Sequence, residues 1–184
     1  MVYKMNIAGL DRELPICRLN DDLMIAGFVI FGDAELTVAC AAELLKIAPE
    51  YDYILTAEAK GIPLAHEMAR QAGDKKYFVA RKAPKLYMTG VFEVKVQSIT
   101  TAKEQKLYLD TADAEMMKGK KILIVDDVIS TGESLAAVEK LVEQAGGIVC
   151  GRLAILAEGD AQERTDIGYL EKLPLFNSKG EVLE

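Results

Sequence analysis

The stretch KILIVDDVISTGES, residues 121–134, runs four branched aliphatics into paired carboxylates, Asp126 and Asp127. After the pair come Ser130, Thr131, Gly132, Glu133 and Ser134. Hydroxyls and successive main-chain N–H groups at the opening of a helix make a concavity suited to an anion. Gly132 lets the chain approach closely. The two aspartates would repel an anion placed beside them. A ligand with a phosphate at one end and neutral hydroxyls a few ångströms away removes the conflict, because carboxylates accept ribose hydroxyls well. Two aspartates alone fit a solvated turn equally; the run of small and polar residues that opens the helix favours a cradle for a phosphorylated sugar.

Two more clusters have chemical potential. TAEAKG, residues 56–61, follows an apolar stretch and offers main-chain N–H groups with Lys60 just ahead of Gly61. ARKAPKLYM, residues 80–88, sets Arg81, Lys82 and Lys85 directly after another apolar stretch, in a chain whose net charge is −7. A basic run is commonly a solvated edge. Its place after a core strand in an acidic chain makes anion binding the better reading.

The elements that must position these residues alternate. Tyr53–Thr56 reads as a strand, followed by a glycine-containing turn, a helix and a stop at Gly73; residues 77–81 read as the next strand. Residues 121–125 repeat the plan, with Leu135, Val138, Leu141, Val142 and Ala145 on one helical stripe, Gly146 and Gly147 as the stop, and a strand over 148–156. Continuous apolar strands point to parallel β buried on both faces. A helix capped at Asp33 and ended before Pro49 precedes them. The expected fold is α/β: an open, mostly parallel sheet with helices on both faces. Residues 91–109 depart from the pattern, with Val94 and Val96, then Leu107 and Leu109, alternating with polar residues as in a half-exposed hairpin. Residues 1–32 and the tail from 159 lack clear periodicity. In such sheets ligands bind beyond the carboxyl ends of the strands, which is where 56–61 and 126–134 fall.

ILIVDDVISTGES resembles the phosphoribosylpyrophosphate (PRPP) motif of the type I phosphoribosyltransferases, nearest to the adenine and xanthine members. The resemblance covers most of residues 14–176 and is strongest over 52–158. It implies that Asp126, Asp127, Ser130, Thr131, Gly132, Glu133 and Ser134 hold the ribose and its 5′-phosphate. Ala57, Glu58, Ala59, Lys60 and Gly61 resemble the family's pyrophosphate loop, and Arg81, Lys82 and Lys85 its basic segment; Asp126, Asp127 and Lys85 are the catalytic candidates. Asn20, Val128 and Glu158 are candidates for the base, while Leu156 and Phe176 fit either a purine pocket or the core. The only histidine, His66, reads as structural or solvent-facing. The resemblance also implies one domain over 1–184, a flexible hood hairpin inserted at about 86–110, a homodimer, and magnesium held mainly through the substrate with no direct protein ligand. Glu93 and Glu104, in the hairpin, are not singled out as proton donors by any spacing. Gly159 stands where the xanthine enzymes carry lysine, which makes adenine the first choice of base and xanthine or guanine the next.

Bulk properties bound the alternatives. A length of 184 residues, 51% of them hydrophobic, suits one globular domain. Acidic charge argues against a general nucleic-acid surface, and no apolar run is long enough to span a membrane as a helix. Charges early in the chain argue against a signal peptide, and Cys17, Cys40 and Cys150 read as reduced, mostly buried thiols, so a cytoplasmic protein is expected. A PRPP-sensing regulator would share the motif without catalysis. Those known carry an added winged-helix domain, for which an α/β pattern starting near residue 28 leaves no room.

Overall fold

A computed structural model describes residues 1–97 and 104–183, without the side chains of Val96, Gln97, Glu104 and Gln105. The chain opens with strands β1 (Val2–Ile7) and β2 (Leu10–Arg18), joined by a two-residue turn in which Ala8 and Gly9 both take positive φ, 51° and 82°. That is the tight-turn geometry whose twist matches antiparallel strands. β3 (Leu23–Ala26) pairs with β2, and near the other end of the chain β11 (Leu175–Asn177) pairs with β3. The result is a four-stranded antiparallel sheet, β1-β2-β3-β11, built from the two regions without recognised periodicity. In fact β1 alternates, with Tyr3, Met5 and Ile7 facing the core. Its polar partners interrupt a pattern only six residues long, too short to stand out.

Helix α1 (Ala34–Ile47) begins where expected: the Asp33 carboxylate accepts from Leu36 N at 3.0 Å. It ends two residues before Pro49. From there β4 (Tyr53–Ala57), α2 (Ile62–Ala72) and β5 (Phe78–Ala80) form the first β–α–β unit, with Gly73 closing α2 at φ 80°. The hairpin strands β6 (Val91–Gln97) and β7 (Glu104–Asp110) follow, then α3 (Thr111–Met117). β8 (Lys121–Ile129), α4 (Glu133–Gln144) and β9 (Ile148–Glu158) form the second unit, and β10 (Gly168–Leu173) completes the sheet. The order is β10-β9-β8-β4-β5, with every adjacent pair parallel.

This order explains the burial. Ile122, Leu123, Ile124 and Val125 on central β8 are all essentially inaccessible, because α1 and α2 cover one face while α4 covers the other. Burying an aliphatic side chain of this size contributes about 1.5–3 kcal/mol. The hairpin pairs antiparallel with one apolar face turned inward, as expected. Val94, Leu107, Tyr108 and Leu109 are buried, and Lys140 of α4 donates to the Lys95 carbonyl at 3.2 Å. Its base is part of the core; the tip, residues 98–103, lies outside the described residues. Of the thiols, Cys40 is buried and Cys150 half-buried, but Cys17 is exposed, because it lies on the solvent side of the small antiparallel sheet.

Candidate active site

From β4 the chain winds outward to β5, and from β8 it winds the other way to β9 and β10. Where adjacent strands send their connections in opposite directions, a crevice opens at their carboxyl ends. Here it is a cleft of about 390 Å³, lined by Ala57, Glu58, Ala59 and Lys60 from one side and by Asp126 through Gly132 from the other. Lys82, Ser134 and Leu135 complete its lining. The two loops singled out by composition thus face one another.

Strand β8 runs to Ile129, four residues beyond the expected end, so the acidic pair sits inside the strand. Both carboxylates nevertheless line the cleft, close enough for the charge of one to bear on the other. Asp127 is only 3% exposed, and its Oδ2 lies 2.9 Å from Lys60 Nζ, without hydrogen-bond geometry. Asp126 Oδ1 accepts from Asp127 N at 2.9 Å. Burial, and then the neighbouring charge of Asp127, push the Asp126 carboxyl well above the usual carboxylate range; Lys60 opposes this only in part.

Three residues, Ser130 to Gly132, link β8 to α4. Gly132 takes φ 79° at the helix start; the N–H of Glu133 donates to Thr131 Oγ1 at 3.5 Å, and Gly132 and Ser134 bring the opening turn of α4 to the cleft. A side chain at 132 would also meet Arg164 Nη1 at 2.7 Å. Arg164, which sequence reasoning passed over, is gripped through two bonds by Asp166 at 2.8 and 2.7 Å. Across the cleft, a Cβ on Gly61 would sit 2.2 Å from Thr56 Oγ1 and 3.3 Å from Asp126 Oδ1. Glycine there lets the second loop close onto the acidic pair. The Glu58–Ala59 peptide is cis.

Other expected residues fall differently. Arg81 does not line the cleft; its Nε is 2.8 Å from Glu58 Oε2. Neither Lys85 nor Glu133 lines it: the Lys85 loop runs on toward the hairpin, and of the first turn of α4 it is Ser134 and Leu135 that reach the cleft. Val128 lines it. Leu156 and Phe176 are fully buried, hence core rather than pocket. His66 is exposed and edge-on to Tyr77. Glu93 is within 4.0 Å of Lys95 and Lys106, and the Glu104 side chain lies outside the described residues.

A second recess, also about 390 Å³, adjoins the first through Ser130 and Thr131. Leu23, Ile25 and Leu175 of the antiparallel sheet, with Leu19 just after β2, wall it, and Glu158, Gly159 and Asp160 lie among the other lining residues. Burial raises the Glu158 carboxyl above its ordinary range, again against Lys60. Asn20 does not line this recess. Its side-chain oxygen instead accepts from Asp22 N and Leu23 N at 3.0 and 2.9 Å, shaping its own turn. Gly159, at φ 56°, has a backbone reason to be glycine whatever its role toward a base. The apolar wall was missed because it comes from the small sheet.

A family model described as the phosphoribosyl transferase domain matches residues 35–174. The hypoxanthine/guanine phosphoribosyltransferase of Methanothermococcus okinawensis is 33% identical over 158 residues, covering 82% of each chain. That of Methanococcus voltae is 31% identical, covering 86% of this chain and 83% of the relative. Among solved structures, adenine phosphoribosyltransferase from Thermoanaerobacter pseudethanolicus superposes with a TM-score of 0.65 at 25% identity, covering 78% of this chain and 84% of that one. The Saccharomyces cerevisiae adenine enzyme gives 0.61 at 20% identity, covering 92% of each, a likeness of fold.

Proposed function

Because the chain belongs to the phosphoribosyl transferase domain family, we propose that it transfers the phosphoribosyl group of PRPP to a purine nitrogen, with adenine the preferred base, and releases pyrophosphate. The observation that carries this reading is the convergence of Asp126 and Asp127, the Ser130–Gly132 loop and Lys60 on one switch-point cleft. In this reading the 5′-phosphate takes main-chain N–H groups at the start of α4, and the acidic pair accepts the ribose hydroxyls. The leaving diphosphate takes main-chain N–H groups of 57–61 with Lys60 and Lys82. Lys60 then exchanges Asp127 for the developing negative charge, a contact that strengthens toward the transition state. Closure of the hairpin would exclude water.

Magnesium fits the donor set. Asp127 Oδ2 is buried with the Lys60 ammonium 2.9 Å away, and the ion would be held mainly through the oxygens of the substrate, with this carboxylate close by. When bound it would neutralise diphosphate charge. Assembly as a homodimer belongs to the same proposal, and the exposed Val29, Phe31 and Val38 offer apolar surface for it.

The lining of the second recess supports adenine. Among the described residues lining it there is no Lys or Arg to donate to a 6-oxo group, whereas Glu158 can accept from an exocyclic amine. A second reading, hypoxanthine or guanine, is favoured by the names of the relatives above 30% identity. Incubating the protein with PRPP, magnesium and each nucleobase separately, and separating the products, decides between them. AMP from adenine is expected; IMP or GMP alone would transfer the assignment to the 6-oxopurines. PRPP binding with no nucleotide from any base would leave a PRPP sensor.

A further inference from the structure

Glu58 is an odd residue for a loop that would hold a diphosphate, since a carboxylate repels one. Its side chain is 16% exposed, and each carboxylate oxygen has a neighbour, the one facing Arg81 Nε by charge and not by a hydrogen bond. Oε1 accepts from Lys82 N at 2.6 Å, and Oε2 lies 2.8 Å from Arg81 Nε. Glu58 N in turn donates to the Ala80 carbonyl at 2.9 Å. The far side of this turn is also fixed: Arg81 and Tyr108 of β7 exchange both main-chain hydrogen bonds, each 2.8 Å. With Arg81 neutralised by Glu58, the exposed cation of this segment that lines the cleft is Lys82.

Resting on the transferase reading, we propose that Glu58 is a positioning residue: it pins the Arg81–Lys82 turn to the 57–61 loop, so that Lys82, not Arg81, meets the leaving diphosphate. The carboxylate acts through the turn and does not touch the ligand. A charged acceptor on a main-chain N–H is among the stronger hydrogen bonds, and this one sets where the Lys82 side chain begins.

The test compares Glu58→Ala, which removes both contacts, with Glu58→Gln, which keeps an acceptor for Lys82 N but loses the charge facing Arg81. Calorimetry with magnesium pyrophosphate, steady-state KM values for PRPP and base, and thermal melting are measured on each. The alanine variant is expected to weaken pyrophosphate and PRPP by about tenfold, the scale of one charge-assisted bond. Its KM for the base should stay within about twofold of wild type, a selectivity expected because the base recess does not include this turn. Glutamine should restore most of the loss. Unchanged or tighter pyrophosphate binding by Glu58→Ala overturns the inference, showing the carboxylate to be merely repulsive. So does an equal loss for base and pyrophosphate that glutamine does not repair. Should the alanine variant not fold, Glu58→Asp, one methylene too short to reach Lys82 N, takes its place with the same expectations. A wild type that binds neither PRPP nor pyrophosphate removes the transferase reading itself, and the inference with it.

Discussion

Single residues carry two tests. Replacing Asp126 and Asp127 together by Asn keeps side-chain size but weakens hydroxyl acceptance, each charge-assisted bond being worth on the order of 1.5–3 kcal/mol. PRPP affinity measured by calorimetry should fall at least about tenfold, with the far-ultraviolet circular dichroism unchanged; retained affinity would mark the pair as inert. Asp126 also makes a prediction about stability. Its folded pKa is raised, from an ordinary value of 3.8 to about 7, by burial and then by Asp127. The native state therefore holds the proton more tightly than the unfolded chain. The stability this contributes is complete below the unfolded value and is lost as pH rises through the folded one. Asp126→Asn, which is always neutral, escapes that loss. Its Tm should exceed the wild type's by more at about pH 8 than at about pH 5; a gap independent of pH would contradict the assignment. Gly61 shows how composition understates constraint. Alanine there would set Cβ 2.2 Å from Thr56 Oγ1 on buried β4, so one of the two loops facing across the cleft must shift.

Among the elements, the segment from Arg81 to Gly90 leaves the sheet edge and leads into the β6–β7 hairpin. Its two lysines sit differently: Lys82 lines the cleft and Lys85 does not. Lys82→Ala should therefore weaken pyrophosphate binding directly. Lys85→Ala should lower turnover more than PRPP affinity, because a cation brought in only on closure acts in the transition state. Binding constants beside kcat for both variants check this, and equal losses of binding would remove Lys85 from the catalytic candidates. The segment's ordering was readable as a basic run after an apolar strand. Which lysine faces the cleft was not, since a side chain's direction depends on how Glu58 and Tyr108 fix the turn.

At the scale of the whole molecule, two sheets meet around one site. The parallel sheet supplies the anion cleft, and the antiparallel sheet supplies an apolar wall beside it. A ligand that binds only the native arrangement raises its stability by mass action. PRPP with magnesium, or AMP, should accordingly raise Tm in a dye-based melt, and AMP more than ribose 5-phosphate if the base takes the second recess as proposed. No shift at millimolar PRPP would count against the site, while equal shifts for AMP and ribose 5-phosphate would detach the recess from it.

Local sequence determined the β–α–β units, the cap at Asp33, the stop at Gly73 and the identity of the two loops. Each of these follows from periodicity, turn chemistry or backbone freedom within about fifteen residues. It did not determine that β8 continues to Ile129, because two aspartates look like a strand end until neighbouring β9 is present to pair with them. Nor did it determine the sheet of β1, β2, β3 and β11, whose outer members lie more than 150 residues apart in the chain. Tertiary structure decided these, along with the pairings Lys60–Asp127 and Glu58–Arg81. The reason is that contacts between distant segments depend on strand order and handedness. Those are global properties of packing that no single window of residues carries.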